Sequence, residues 1–209
     1  MVYHVGLVIE KYPCIERNQN HHSYRCWLTP DEYKSLKQSA GSYRDSLIIQ
    51  LGGEVGLRSF EIPQIHPEHI KHVDGHARLR VPKGKDTEGS GGKPRDAYLP
   101  EQVESELLRY ANVEDIDRDE PIADLSERSE QCRVKATSER VAEETGDTDW
   151  QKLSSHDLWR YYAQTLLVRE RMVPRVVMVV GGWSSFSAIE PYLNAPTAEV
   201  VNREFEESR

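Results

Sequence analysis

One interruption governs what this chain can fold into. Most of its 209 residues carry a helical pattern, but between residues 64 and 100 the apolar periodicity switches to alternation. Ala77-Arg-Leu-Arg-Val81 and Arg95-Asp-Ala-Tyr-Leu99 place an apolar side chain at every second position, which predicts two half-buried strands. Between them, Lys83-Gly-Lys-Asp-Thr-Glu-Gly-Ser-Gly-Gly-Lys93 is too rich in glycine to extend either strand. The pair therefore predicts an antiparallel hairpin with a long tip. The expected fold class is mainly α with one small antiparallel sheet (α+β).

The helices on either side carry local start signals. Thr29, Pro30 and Glu32 form an N-cap, a first-turn proline and a capping-box acid. A second helix is predicted over about 42–53 and is expected to resume through Gly56–Ile62 after a glycine break. Further helices are predicted at 101–110, 127–144, 156–172, 174–180 and 185–193, with a last amphipathic one over Thr197–Glu207. Residues 1–26 read as an N-terminal extension, with a short strand at Val5–Ile9 and a polar linker at 18–22. Residues 27–209 read as one domain.

Charge is unevenly placed. The net charge of −8 argues against a nucleic-acid partner when taken as an average. Residues 101–149, however, hold sixteen acids against six bases, whereas His76–Arg95 holds six bases against two acids. The hairpin is locally basic, and Lys83, Lys85, Lys93 and Arg95 are its candidate DNA contacts. No apolar run approaches the roughly 18 residues of a membrane span, and no secretory leader is evident. Three cysteines without paired spacing predict no disulfide framework, so a cytoplasmic setting is expected.

Phosphate-loop, dinucleotide-fold and nucleophile-elbow motifs are absent, which makes a nucleotide cofactor and serine hydrolysis unexpected. His66, His69, His72 and His76 invite a zinc reading, as do Cys14, His21, His22 and Cys26. The first group straddles a proline and a turn, and the second lacks a Cys-x2-Cys element. Solvated histidines and no metal are the expectation.

A separated set of residues rises above this background: Arg58 and Glu61 in GLRSFE, Lys85 after Gly84, His156 in SSHDLWR, Trp183 in GGWSS, and Tyr192. Their order and separations, with nine residues from Trp183 to Tyr192, resemble the catalytic domain of the tyrosine recombinases, the integrase family, over about residues 27–200. The wording looks closest to archaeal members. The resemblance implies metal-free cleavage and rejoining of double-stranded DNA through a 3′-phosphotyrosine, in company with other recombinase protomers. Tyr192 would be the nucleophile and Arg58 a planar fork for two phosphate oxygens. Lys85 would protonate the departing oxygen, and His156 would donate to the phosphate or move a proton. Trp183 would give one indole N–H, and Glu61 would hold its neighbours. A tail helix such as Thr197–Glu207 would either pack in cis in the monomer or dock on a neighbouring protomer, as such helices do in the family.

The pattern breaks at two places. The family's second Arg, three residues after the box His, is Trp159 here. Arg160 stays a candidate catalytic cation, but adjacent helical residues point about 100° apart, so loss of one phosphate clamp is the expectation. Such a loss costs on the order of 10²–10³ in rate, and Trp159→Arg would then restore about 10². The core-binding domain usual in the family is also not expected within the 26 residues that precede the match. A catalytically inactive DNA-binding or recombinase-interacting relative is the alternative reading, and a topoisomerase-like nicking activity a lesser one.

Overall fold

The computed structural model describes residues 24–84 and 93–192 in full, and 14–17 by their backbone. Strands β1 (Cys14–Arg17) and β2 (Tyr24–Trp27) form an antiparallel pair. Helix α1 (Pro30–Gln38) starts where the capping box predicts: Thr29 Oγ1 accepts from Glu32 N at 3.2 Å, and Glu32 Oε2 accepts from Thr29 N at 2.7 Å. Helix α2 (Tyr43–Gly53) begins at the Ser42 cap, and every residue from Leu47 to Gly53 is buried. An apolar run on all sides of a helix places it at the centre of a domain. Accordingly α2 is packed by α3 (Glu101–Val113), α4 (Glu127–Thr145) and α5 (Ser155–Gln164).

The sheet has three strands rather than the two read from sequence. Strands β3 (Ile70–Val73), β4 (His76–Val81) and β5 (Arg95–Tyr98) lie side by side in that order, all antiparallel. β4 and β5 are the expected hairpin, with Val81 opposite Arg95. β3 gave no alternating signal because it is an edge strand whose last three residues are exposed. Asp74 and Gly75, both at positive φ, turn it back into β4.

Two helical expectations need correction. The chain after Gly56 does not resume α2. Gly56 sits at φ +75°, and Arg58–Glu61 forms a tight turn, with Glu61 N donating to Arg58 O at 2.8 Å, before a single 3₁₀ turn at Ile62–Gln64. The helix expected over 156–172 ends at Gln164 and unwinds through a π-turn at Thr165–Arg169. Beyond it lie α6 (Pro174–Gly181) and α7 (Phe186–Ile189). The predicted strand at Val5–Ile9 and helix at Thr197–Glu207 fall outside the described residues.

Helix α5 joins two apolar cores. Leu158 and Tyr161 belong to the large one built on α2, whereas Trp159, Tyr162 and Ala163 belong to a smaller one with Leu167, Val177, Trp183 and Ile189. No helix among the described residues is long and apolar enough to cross a membrane.

Candidate active site

The site begins with a buried carboxylate. Glu61 is fully buried, and the Arg58 turn folds onto it: Arg58 N donates to Oε2 at 2.8 Å and Nη1 to Oε1 at 3.1 Å. Arg95, entering from β5, donates to the same two oxygens at 3.3 and 3.0 Å and to Gly56 O at 2.8 Å. One carboxylate thus serves two guanidiniums and leaves a net positive charge. Arg95, expected on the hairpin's outer surface, is turned inward and only 8% exposed, and burial pulls its pKa down against the pull of Glu61.

Gly181 and Gly182 close the other side. Gly182 caps α6 at φ +72°, where a Cβ would stand 2.7 Å from Arg95 Cδ, and its carbonyl lies 3.5 Å from Arg58 Nη2. A Cβ on Gly181 would stand 1.7 Å from the Trp183 ring. The two glycines let the backbone pass between an arginine and an indole that both need the space.

Trp159 is the hub. Its ring stacks on Trp183 with centroids 4.3 Å apart, meets the edge of Tyr192 at 5.2 Å, and lies 5.3 Å from the His156 ring. The Arg58 guanidinium sits over it at 4.6 Å. Arg58, His156, Trp183 and Tyr192, spread over 134 positions of sequence, therefore all touch one side chain that the motif pattern would have made an arginine. Both indole N–H groups are buried without a hydrogen-bond partner among the described residues. The Tyr192 phenol is pushed up by burial and pulled back by Arg160, Arg58 and Arg25.

A capping box fixes the start of α5. Asp157 Oδ2 accepts from Ser154 N and Oγ at 2.8 and 2.6 Å, while Oδ1 accepts from Cys26 N at 2.9 Å and pairs with Arg160. His156, in this first turn, is exposed. Beside it opens a cleft of about 470 Å³ lined by Ser59, Arg128, Gln131, Lys135 and Ser154–His156. The spacing of Arg128, Gln131 and Lys135 on one face of α4 was available in the sequence and was missed there.

The remaining candidates lie around the hairpin. Lys83 and Lys93 are exposed at its base, and Lys85 falls outside the described residues. A Cβ on Gly84 would stand 2.6 Å from Lys93 O and 3.9 Å from Glu61 Oε1, so the hairpin base at Gly84 lies at the edge of the arginine–carboxylate cluster. Of the histidines, His66 and His69 with Glu68 bring potential ligand atoms within 4.8 Å of one another, but His69 Nδ1 is already accepting from His66 N at 3.1 Å. His72 pairs with Glu104 instead.

The phage integrase family profile matches residues 26–199. The chain belongs to that family. Its fold is similar to that of XerA recombinase (TM-score 0.64, 18% identity, 88% of this chain and 65% of that one). It is also similar to XerH site-specific recombinase bound to its difH substrate before cleavage (TM-score 0.62, 18% identity, 85% and 53%). A third likeness is to a lambda integrase dimer bound to a COC′ core site (TM-score 0.57, 16% identity, 83% and 51%). At these identities the likeness establishes the recombinase catalytic-domain fold. The chain spans 65% of the length of XerA and 53% of that of XerH. No curated protein matches the sequence.

Proposed function

We propose that this integrase-family domain cleaves and rejoins double-stranded DNA through Tyr192. The observation that carries the reading is the convergence of Arg58, His156, Trp183 and Tyr192 on the Trp159 ring. In the proposed step the Tyr192 oxygen attacks the scissile phosphorus and the bond to the 5′-oxygen breaks. A 3′-phosphotyrosine forms, the phenol proton passes to His156 or water, and Lys85 protonates the leaving 5′-oxygen. Attack by a 5′-hydroxyl of the same or another strand reverses it. Arg58 faces the charge that grows on the non-bridging oxygens. Arg95 acts behind it by holding Glu61, and does not itself reach DNA.

The surrounding surface supports a duplex. Arg128, Gln131 and Lys135 line the cleft next to His156, and Lys83 and Lys93 flank the hairpin base. Residues 27–209 would act as the catalytic unit and residues 197–207 would engage a second protomer on DNA. An archaeal source and a cytoplasmic setting suit the acid-rich composition and the lack of paired cysteines.

Trp159 favours a second reading, in which the chain binds DNA without cutting it, because an uncharged indole stands where the family carries an Arg. A pool of nicked duplexes with a randomised core separates the two. Strand cleavage traps protein on DNA as a covalent complex that is lost in Tyr192→Phe. Retention of DNA by wild type with no covalent product would establish the non-cleaving reading.

A further inference from the structure

The motif set leaves Arg58 as the one phosphate-facing guanidinium, yet two further arginines, Arg160 and Arg25, lie within electrostatic reach of Tyr192. Both are brought there by a single carboxylate. Asp157 is fully buried at the start of α5, and its Oδ2 is spent on the cap of that helix. Its Oδ1 binds the Arg160 side chain and, at 2.9 Å, the N–H of Cys26. That N–H belongs to the peptide linking Cys26 to Arg25, so one oxygen anchors both the Arg160 guanidinium and the backbone at Arg25. Helix α5 in turn packs against β2 and against the turn that ends in Tyr192. Cys26 points its side chain into the core, so Arg25 leaves the strand on the opposite face, half-buried. Both guanidiniums are near enough to Tyr192 to pull its phenol pKa down against burial.

We propose that Arg160 and Arg25 supply the positive charge that Trp159 does not, so that the phosphate attacked by Tyr192 is held by three guanidiniums, those of Arg58, Arg160 and Arg25. The proposal rests on the strand-cleavage reading above. Arg160 keeps N–H donors beyond the one on Asp157, and a guanidinium pinned at one corner presents its other donors in a fixed direction. Arg25 lies one residue before the stretch that matches the family, so this contribution comes from the β1–β2 hairpin and not from the shared motifs.

Sodium tungstate, a tetrahedral oxyanion, is the probe, titrated into the full chain while its tryptophan fluorescence is followed, to which Trp159 and Trp183 contribute beside Trp27 and Trp150. Wild type should bind it, and Arg25→Ala and Arg160→Ala should each weaken binding by about tenfold. Arg25→Lys should recover part of the loss. Arg160→Lys, which can keep the Asp157 pair while losing the fork, guards against a folding defect and should also bind more weakly than wild type. No quenching in wild type, or equal affinity across the variants, overturns the proposal. The readout needs no cleavage. If tungstate behaves as expected while no duplex forms a covalent complex, strand cleavage fails and the three-arginine anion site stands. If covalent complex forms and the Arg25 and Arg160 variants form it at the wild-type rate, the clamp fails and strand cleavage stands.

Discussion

The guanidinium of Arg58 lies 4.6 Å from the ring centroid of Trp159, which is itself stacked on Trp183. A side chain that looks from sequence like a missing cation is therefore a structural platform for the Arg58 guanidinium. Trp159 is 4% exposed and belongs to the smaller core. Trp159→Ala should cost about 3–5 kcal/mol through cavity formation and lost stacking, read as a fall in the urea midpoint.

Trp159→Arg reverses the expectation drawn from the motif alone. Both oxygens of Glu61 are already shared by Arg58 and Arg95, so a new guanidinium at 159 would stand beside Arg58 with no carboxylate to meet it. The variant should melt below wild type and form no more covalent complex. A gain of about 10² in complex formation with an unchanged melt would show instead that the site lacks a cation.

Glu61 sits between two arginines and should be among the costliest residues to neutralise. Glu61→Gln leaves the Arg58 and Arg95 guanidiniums facing each other across an amide, and breaking a buried pair from one side costs about 3–5 kcal/mol. Adding Arg95→Met should return much of that loss, because it removes the cation left buried. Urea denaturation of both single variants and the double variant measures the coupling. Strictly additive effects would mean that the two side chains do not depend on one another.

Gly182 offers a separate test of how this cluster is packed. Its φ of +72° costs a residue with a Cβ roughly 1–2 kcal/mol, and that Cβ would also press on Arg95. Gly182→Ala should therefore destabilise the fold and slow covalent-complex formation together. The complex assay run well below the melting point, with wild-type rates retained, would show that Arg95 and Arg58 need no exact seat.

Much of this arrangement was legible in the sequence, for reasons that can be located. The caps at Thr29 and Ser42 and the alternation in β4 and β5 are local signals, and local physics places them. The order and spacing of Arg58, His156, Trp183 and Tyr192 carried the family. What could not be read was whatever depends on partners distant in the chain. Arg95 resembles its exposed neighbours Lys83 and Lys93 in sequence, and only the fold shows Glu61 waiting behind it. Arg25 lay in a stretch read as an extension, and its place is set by a bond from the next residue to Asp157, 131 positions away. β3 was missed because an exposed edge strand has little apolar pattern to show.

Glu130 provides a pH-dependent test close to the site. It is fully buried, accepts from Ser155 Oγ at 3.1 Å, and has its other oxygen unpartnered among the described residues. Burial, aided by nearby Glu127 and opposed by the Ser155 hydrogen bond, pushes its carboxyl up to about 7 from 4.5. The folded state therefore holds a proton that the unfolded chain releases at lower pH. The stability this gives is fully present below about 4.5 and is lost as pH rises through about 7. Over that window the change is on the order of 3 kcal/mol. Glu130→Gln keeps an acceptor for Ser155 and cannot ionise. Its stability should match wild type near pH 4.5 and exceed it above pH 8, with the difference opening between the two values. Urea melts of both proteins across that range test this, and parallel profiles would show that Glu130 does not titrate in the window.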